Sequence, residues 1–248
     1  MKHMYVRTLV FRIVTHGVFH LNLLHLGFNM AAFYPIGTRM EQAGGSLHLA
    51  WTIGVLLLGS GLLSLAVSIG IMYTVGLPSL MFHCDVGFSG VIFGLMIMQA
   101  MRLPPGRKTS FFGIDIPSRV YPVVLLVVIQ LLLPRSVSLL GHLSGLAMGY
   151  FLCTRPGSVL IPSSTTMAYL DSSRIISTLA FYAGSSWVSA ENANGFSYVA
   201  GSGSPSPSVL PTTTPQPYSA STTTATAAPP AASQSEPKFP GEGRVVGE

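Results

Sequence analysis

Charge punctuates the first 154 residues only sparsely, leaving uncharged runs at 13–38, 42–84, 86–101, 120–134 and 136–154. A membrane-crossing helix needs about 20 mainly apolar residues, and in lipid every backbone polar group must be satisfied within the spanning structure, as a helix does. The runs therefore predict five helices, near 18–36, 48–69, 86–102, 117–134 and 137–154. The shorter ones draw on flanking residues whose arginine heads reach the interface. Composition agrees: charged residues make up 8% of the chain, hydrophobic ones 49%, and mean hydropathy is +0.54. Soluble domains carry about 25% charge. A cytosolic enzyme and a disulfide-stapled secreted module are excluded, and the expected class is an all-α polytopic membrane protein.

The charge is unevenly spread. Residues 1–154 hold nine Lys/Arg and three Asp/Glu, and residues 155–248 hold four and five. The basicity thus sits in loops flanking apolar runs, where it bears on topology. No clustered Lys/Arg with interleaved aromatics points to nucleic acid, so no nucleic-acid partner is expected. Cys84 and Cys153 close different runs and read as small packing residues.

Residues 1–16 are too short and too charged to span and lack the apolar core of a signal peptide, so a loop or interfacial segment is expected there. Residues 17–154 form the transmembrane region. Residues 155–200 are a mixed juxtamembrane region with an amphipathic piece near 173–188. Residues 201–248 are a Ser/Thr/Pro-rich tail, uncharged over 201–235, whose composition predicts disorder. Among the spans, 117–134 is almost pure Val, Leu and Ile and carries no chemistry. The others hold His, Asn, Ser and glycine, and polar groups at membrane depth face the bundle interior.

Three constellations stand out. His25 and Asn29 are four apart and share a helix face. Both donate hydrogen bonds without permanent charge, which suits a negative charge that forms transiently, and equally suits a polar pair gluing helices together. Ser89 lies in Gly87-Phe88-Ser89-Gly90, with Gly94 one turn on. The glycines leave a serine open to a substrate, or simply let another helix approach; Gly87, Gly90 and Gly94 read as one face. His142 lies in Gly141-His142-Leu143-Ser144-Gly145, beside a Gly141, Gly145 and Gly149 face. It is either a structural histidine or a base for a neighbouring hydroxyl. Together they supply nucleophile, base and oxyanion donors for acyl transfer.

At these residues the chain resembles the rhomboid family of intramembrane serine proteases. The family pattern of His-x-x-x-Asn, Gly-x-Ser-Gly and Gly-His, on three successive motif-bearing helices, is matched by His25/Asn29, Gly87–Gly90 and Gly141–His142. The stretch Gly37-Thr38-Arg39-Met40-Glu41-Gln42-Ala43-Gly44-Gly45-Ser46 is similar to the family's loop after the first motif. The likeness covers about residues 5–154, and the run from Pro134 to Gly145 is most similar to the endoplasmic-reticulum rhomboids. It implies a rhomboid-like helical bundle and a dyad: Ser89 as nucleophile and His142 as base, with His25, Asn29 and the Ser89 backbone N–H holding the oxyanion. His20, Asn22, Gly87, Gly90, Gly141 and Gly145 would support them. The implied substrates are transmembrane helices of membrane proteins in the lipid bilayer, with no cofactor. His16 and His20 lack the further ligands of a metal site. The family core has a helix before His-x-x-x-Asn, so the expectation is a chain without its first core helix.

Under that resemblance the tail shares one side with Arg39, Arg102, Arg107, Lys108, Arg119 and Arg155, and the positive-inside bias places that side in the cytosol. Residues 238–247 resemble the box by which cofactors bind the AAA ATPase valosin-containing protein. Phe239 and Val246 would be the anchors, joined through Gly241 and Gly243, and Val246 stands where leucine is usual. The rival to a protease is a non-catalytic adaptor of ER-associated degradation similar to derlins. Derlin-like relatives lack the Ser/His pair.

Overall fold

The first helix begins where a side chain can cap it. The Asn22 side chain accepts the His25 N–H at 2.8 Å, satisfying a donor that the first turn leaves open, and α1 runs Leu23–Gly44. The structure, a computed structural model, describes residues 13, 15–76, 87–133 and 138–193, all within one compact unit, Met1–Ser206. The tail at 201–248, with its 238–247 box, and all of 1–16 except Ile13, Thr15 and His16 lie outside the described residues.

α1 starts and ends later than the predicted 18–36, and the stretch expected as a loop after residue 36 is helical up to Gly44. Nothing between Pro35 and Gly44 breaks a helix, so the chain turns only at Gly45. There φ is +94°, a conformation that L side chains rarely adopt, and the Gly45 N–H closes the helix on the Glu41 carbonyl at 2.7 Å. α2 then runs Ser46–Val75, 30 residues, and stops at Gly76 in the left-handed region. Among the described residues it is the one helix long and apolar enough to cross a membrane by length and composition. His48, Thr52, Leu56, Ser60, Ser64 and Ser68 are its buried stripe, one residue every four.

The next three helices are apolar but shorter: α3 Ser89–Arg102, α4 Tyr121–Leu132 and α5 Leu139–Leu152. The predicted 117–134 loses its start to a hairpin that the hydropathy did not reveal. β1 (Lys108–Phe111) pairs antiparallel with β2 (Ile114–Pro117). Phe112 and Gly113 turn at φ +50° and +81°, the two-residue reversal whose twist fits a hairpin. Ser118 is buried behind it, sharing a 2.7 Å hydrogen bond with Thr109. α4 buries only Pro122 and Leu126, as its featureless sequence suggests.

α3 occupies the middle. Val91, Ile92, Phe93, Gly94, Leu95, Ile97, Met98 and Ala100 are buried, and Leu56 of α2 and Leu152 of α5 pack on it with no exposure. Its tightest partner is α5. A Cβ added at Gly90 would lie 3.1 Å from the Gly141 carbonyl oxygen, and one at Gly94 would lie 3.0 Å from that of Gly145. In return, Gly145 abuts the Gly90 carbonyl and Gly149 that of Gly94. The glycines alternate along the seam, so the two backbones touch and no side chain intervenes. Gly87 is not part of this face, because it precedes the helix.

After α5 the chain folds across the same end as the α1–α2 turn. Cys153, a free thiol, is buried there, as a packing residue should be. Short helices follow: α6 Arg155–Ser158, α7 Ser164–Asp171, α8 Arg174–Ala183 and a 3-10 turn Gly184–Ser186. Trp51 of α2 donates its indole N–H to the Leu160 carbonyl at 2.9 Å. The Ser46 N–H donates to the Val188 carbonyl at 2.8 Å, and the Val188 N–H donates back to Ser46 Oγ at 2.9 Å. The Ala190 N–H reaches the Asp171 carboxylate at 2.8 Å.

Candidate active site

Ser89 is the first residue of α3 and His142 lies in the first turn of α5. Both positions follow from local sequence. The Ser138 hydroxyl accepts the Gly141 N–H at 3.1 Å and its carbonyl accepts the His142 N–H at 3.1 Å, so α5 begins just before the histidine. Gly87, at φ +125°, delivers the chain into α3 immediately before the serine. With the glycine seam drawing the two helices together, Ser89 Oγ stands 2.7 Å from His142 Nε2. The serine is half-buried and the histidine is 4% exposed.

That distance is a short hydroxyl–imidazole hydrogen bond, the arrangement by which a base removes a proton as the oxygen attacks. The Phe93 ring, one turn along α3 from Ser89, lies against the imidazole with centroids 4.9 Å apart. Sequence reading passed over Phe93. Its signal is an aromatic at i+4 from the serine, on the face turned toward the next helix. Among the described residues, the carboxylates of Glu41 and Asp171 are engaged elsewhere, with Ser46 Oγ and the Ala190 N–H.

The N-terminus of α3 adds its own chemistry. The first intrahelical N–H donations leave the N–H groups of the opening turn, Ser89's included, without helical acceptors, and they carry the positive end of the helix dipole. Such groups accept a developing negative charge.

α1 brings its polar residues to the same end. His25 packs on Gly87: a Cβ there would sit 2.7 Å from His25 Cε1. Among the described residues, His25 Nδ1 is buried without a hydrogen-bond partner. The His20 ring meets His25 edge-on with centroids 5.3 Å apart. His20 Nδ1 lies 3.1 Å from the Val18 carbonyl and Nε2 accepts the Phe88 N–H at 3.4 Å, so both contacts fit one tautomer. Asn29 is buried, and its side-chain amide donates to the His25 carbonyl at 2.8 Å. The His16 carbonyl accepts the Gly87 N–H at 2.9 Å. Asn22 acts through the helix cap, and Gly90, Gly141 and Gly145 act through the seam.

Comparison with known proteins follows the same residues. A family model described as the Rhomboid domain matches residues 7–155. Rhomboid-like protein 15 of Arabidopsis thaliana is 32% identical over 193 residues, 77% of this chain and 47% of that protein. Rhomboid-type serine protease 2 of Neurospora crassa is 35% identical over 147 residues, 57% of this chain and 49% of that protein. Rhomboid-related protein 4 of Homo sapiens is 31% identical over 138 residues, 56% and 43% respectively. The chain thus spans about half the length of these curated relatives. No solved structure matches. With the family model covering more than half of the sequence, and with the serine, histidine and glycine seam all inside the match, the chain belongs to the rhomboid family of integral membrane proteins.

Proposed function

We propose that the chain is an intramembrane serine endopeptidase that cleaves transmembrane helices of membrane proteins with a Ser89–His142 dyad. The observation that carries this is the 2.7 Å contact between Ser89 Oγ and His142 Nε2. Relatives named as rhomboid-type serine proteases support it.

In this reading Ser89 Oγ attacks the carbonyl carbon of a substrate peptide bond while its proton passes to His142 Nε2. The carbonyl oxygen becomes an oxyanion, held by the Ser89 N–H with donors from His25 and Asn29. The C–N bond then breaks, the imidazolium gives its proton to the leaving amine, and an acyl-enzyme remains. Water, deprotonated by the same imidazole, releases the acid and restores the serine. Phe93 holds the imidazole plane throughout.

Helix lengths support a site near a membrane surface. Each 14-residue helix, α3 and α5, is about 21 Å long, against an apolar core of about 30 Å. With their far ends at one headgroup layer, the ends bearing Ser89 and His142 stop short of the other layer by about 9 Å. Polar side chains of α1 and the segment before it (His16, His20, Asn22, His25) line that level and admit the water that hydrolysis requires. A substrate helix must unwind there to expose a peptide carbonyl.

The tail side is cytosolic and the membrane is that of the endoplasmic reticulum. Arg39, Arg102, Arg107, Lys108, Arg119 and Arg155 all sit toward the end away from Ser89, which supports the orientation. Residues 238–247 hand products to a valosin-containing-protein-type ATPase, a contact tested by pull-down with 238–248 deleted.

The dyad is tested by fluorophosphonate labelling in membranes. The chain should label, and Ser89→Ala and His142→Ala should both lose the signal. Labelling that survives Ser89→Ala overturns Ser89 as the nucleophile, and a folded chain that never labels overturns the reading in favour of the non-catalytic, derlin-like adaptor.

A further inference from the structure

α8 is a helix with no buried residue. Ile175, Leu179 and Tyr182 follow one another at i, i+4 and i+7 along a single face and are 76%, 53% and 81% exposed. Phe181, 80% exposed, lies off that face with its ring edge-on to Tyr182. Ser177 lies opposite that face, one turn from Phe181; Arg174 and Thr178 flank the face on one side, and Ile176 and Ala180, the less exposed residues, lie on the other. A 10-residue helix that exposes this much apolar surface does not hold its position by its own packing.

It is instead held from both ends. Before it, α7 is rooted by Met167, which has no exposure. After it, residues 187–190 are fastened to the head of α2 by the paired Ser46–Val188 hydrogen bonds, and the Ala190 N–H is tied to Asp171. The helix is therefore presented in a fixed orientation, apolar face outward, at the end of the bundle where α3 and α5 finish.

That end is also the basic end. Arg39, Arg102, Arg107, Lys108, Arg155 and Arg174 are exposed toward that end, where the tip of the β1–β2 hairpin also offers Phe112 and Ile114 at 89% and 66% exposure. Exposed apolar side chains and exposed cations at one end of a chain already immersed in a bilayer fit the boundary between acyl chains and anionic headgroups.

The geometry points to α8 as an interfacial anchor: it lies in the headgroup plane of the same membrane, with Ile175, Leu179 and Tyr182 dipped into the acyl boundary and Arg174 at the phosphates. Its occupant is lipid, continuous with the lipid around the spanning helices. By fixing where the basic end meets the headgroups, it sets the depth of the Ser89 end, so this function rests on the proposed intramembrane site but its detection does not.

The test uses the full chain in vesicles of neutral and anionic phosphatidyl lipids, with its two native cysteines replaced by serine and a bimane probe on Leu179→Cys, Tyr182→Cys or Ser177→Cys in turn. These positions are exposed, so folding is not at stake. Lipids spin-labelled near the top of the acyl chain should quench positions 179 and 182 about twofold or more above position 177. Equal quenching of all three overturns the proposal. So does weak quenching at 179 that appears only when residues 194–248 are removed, which would make the chain's own tail the occupant. Cross-linking between copies through 179 would assign the face to a second copy. None of these readouts depends on protease activity.

Discussion

The glycine seam makes a graded prediction that begins with Gly145→Ala. Alanine in a helix is favoured over glycine by about 1 kcal/mol when nothing opposes it, so a harmless position should be stabilised. Gly145 is not harmless. Besides striking the Gly90 carbonyl oxygen, its new Cβ would stand 2.6 Å from the Gly90 carbonyl carbon, where carbon pairs settle at about 3.5 Å. Both sides of the clash are helix backbone and cannot rotate away, so α3 and α5 must part by about 0.9 Å. Gly90 neighbours Ser89 and Gly145 lies one turn from His142, so the separation reaches the site directly. A 2.7 Å contact opened by that amount passes about 3.6 Å, outside hydrogen-bond range. The steric cost of about 1–3 kcal/mol exceeds the propensity gain, and misplacement on this scale slows chemistry by about a hundredfold. Gly90→Ala meets its neighbour at 3.1 Å, needs only a few tenths of an ångström, and should fall between. Gly54→Ala, inside α2 with nothing within 4 Å, should label like the unsubstituted chain and raise Tm slightly, by the propensity gain of about 1 kcal/mol. Fluorophosphonate labelling rates in membranes, read beside Tm in detergent, give the order Gly54, Gly90, Gly145. Should Gly145→Ala fail to fold, Gly90→Ala still decides. If Gly90→Ala labels as fast as Gly54→Ala, or a folded Gly145→Ala does, backbone contact along this seam does not set the dyad distance and the reasoning fails.

Two other glycines carry positive φ and separate the ends of the molecule. Gly87→Ala forces an L residue to φ +125° and drives its Cβ against His25 Cε1; it should lower stability by about 1–2 kcal/mol and slow labelling as well, and a folded variant labelling at the full rate refutes the contact. Gly45→Ala, at φ +94° and 3.1 Å from the Val188 carbonyl oxygen and the Ala190 N, should cost a similar amount and speed limited proteolysis of 184–193 while labelling stays unchanged. Slower labelling in that variant would mean the two ends are coupled.

The helices and the pairing of motifs were legible because each rests on a strong local rule. Uncharged runs mark helices, and glycines at i, i+4 and i+8 mark a seam whatever the rest of the fold does. Boundaries were less legible. Hydropathy does not separate a strand from a helix over a few residues, so Lys108–Phe111 and Ile114–Pro117 hid between the third and fourth apolar runs. The pairing depends on Phe112 accepting positive φ, which its type does not announce. The stretch Gly37–Ser46 looked like a loop because Arg39 and Glu41 end the first uncharged run and because it resembles the family's loop after the first motif. Only Gly45 breaks the helix, and its position is enforced by residues 188–190, far along the chain.

Gly87 and Gly45 show why sequence alone grouped glycines wrongly. Spacing put Gly87 on one face with Gly90 and Gly94, yet the three do different work: two let helices touch, while Gly87 turns the chain and leaves room for a histidine from another helix. A spacing rule applies only inside a helix, and the helix begins at Ser89. That start is itself what matters for the site. Were α3 to begin one turn earlier, the Ser89 N–H would be spent on an intrahelical carbonyl, and the serine would offer a hydroxyl without the donor beside it. The positive φ at Gly87 ends that possibility, so the glycine that breaks the helix also frees the N–H on which the proposed oxyanion binding depends.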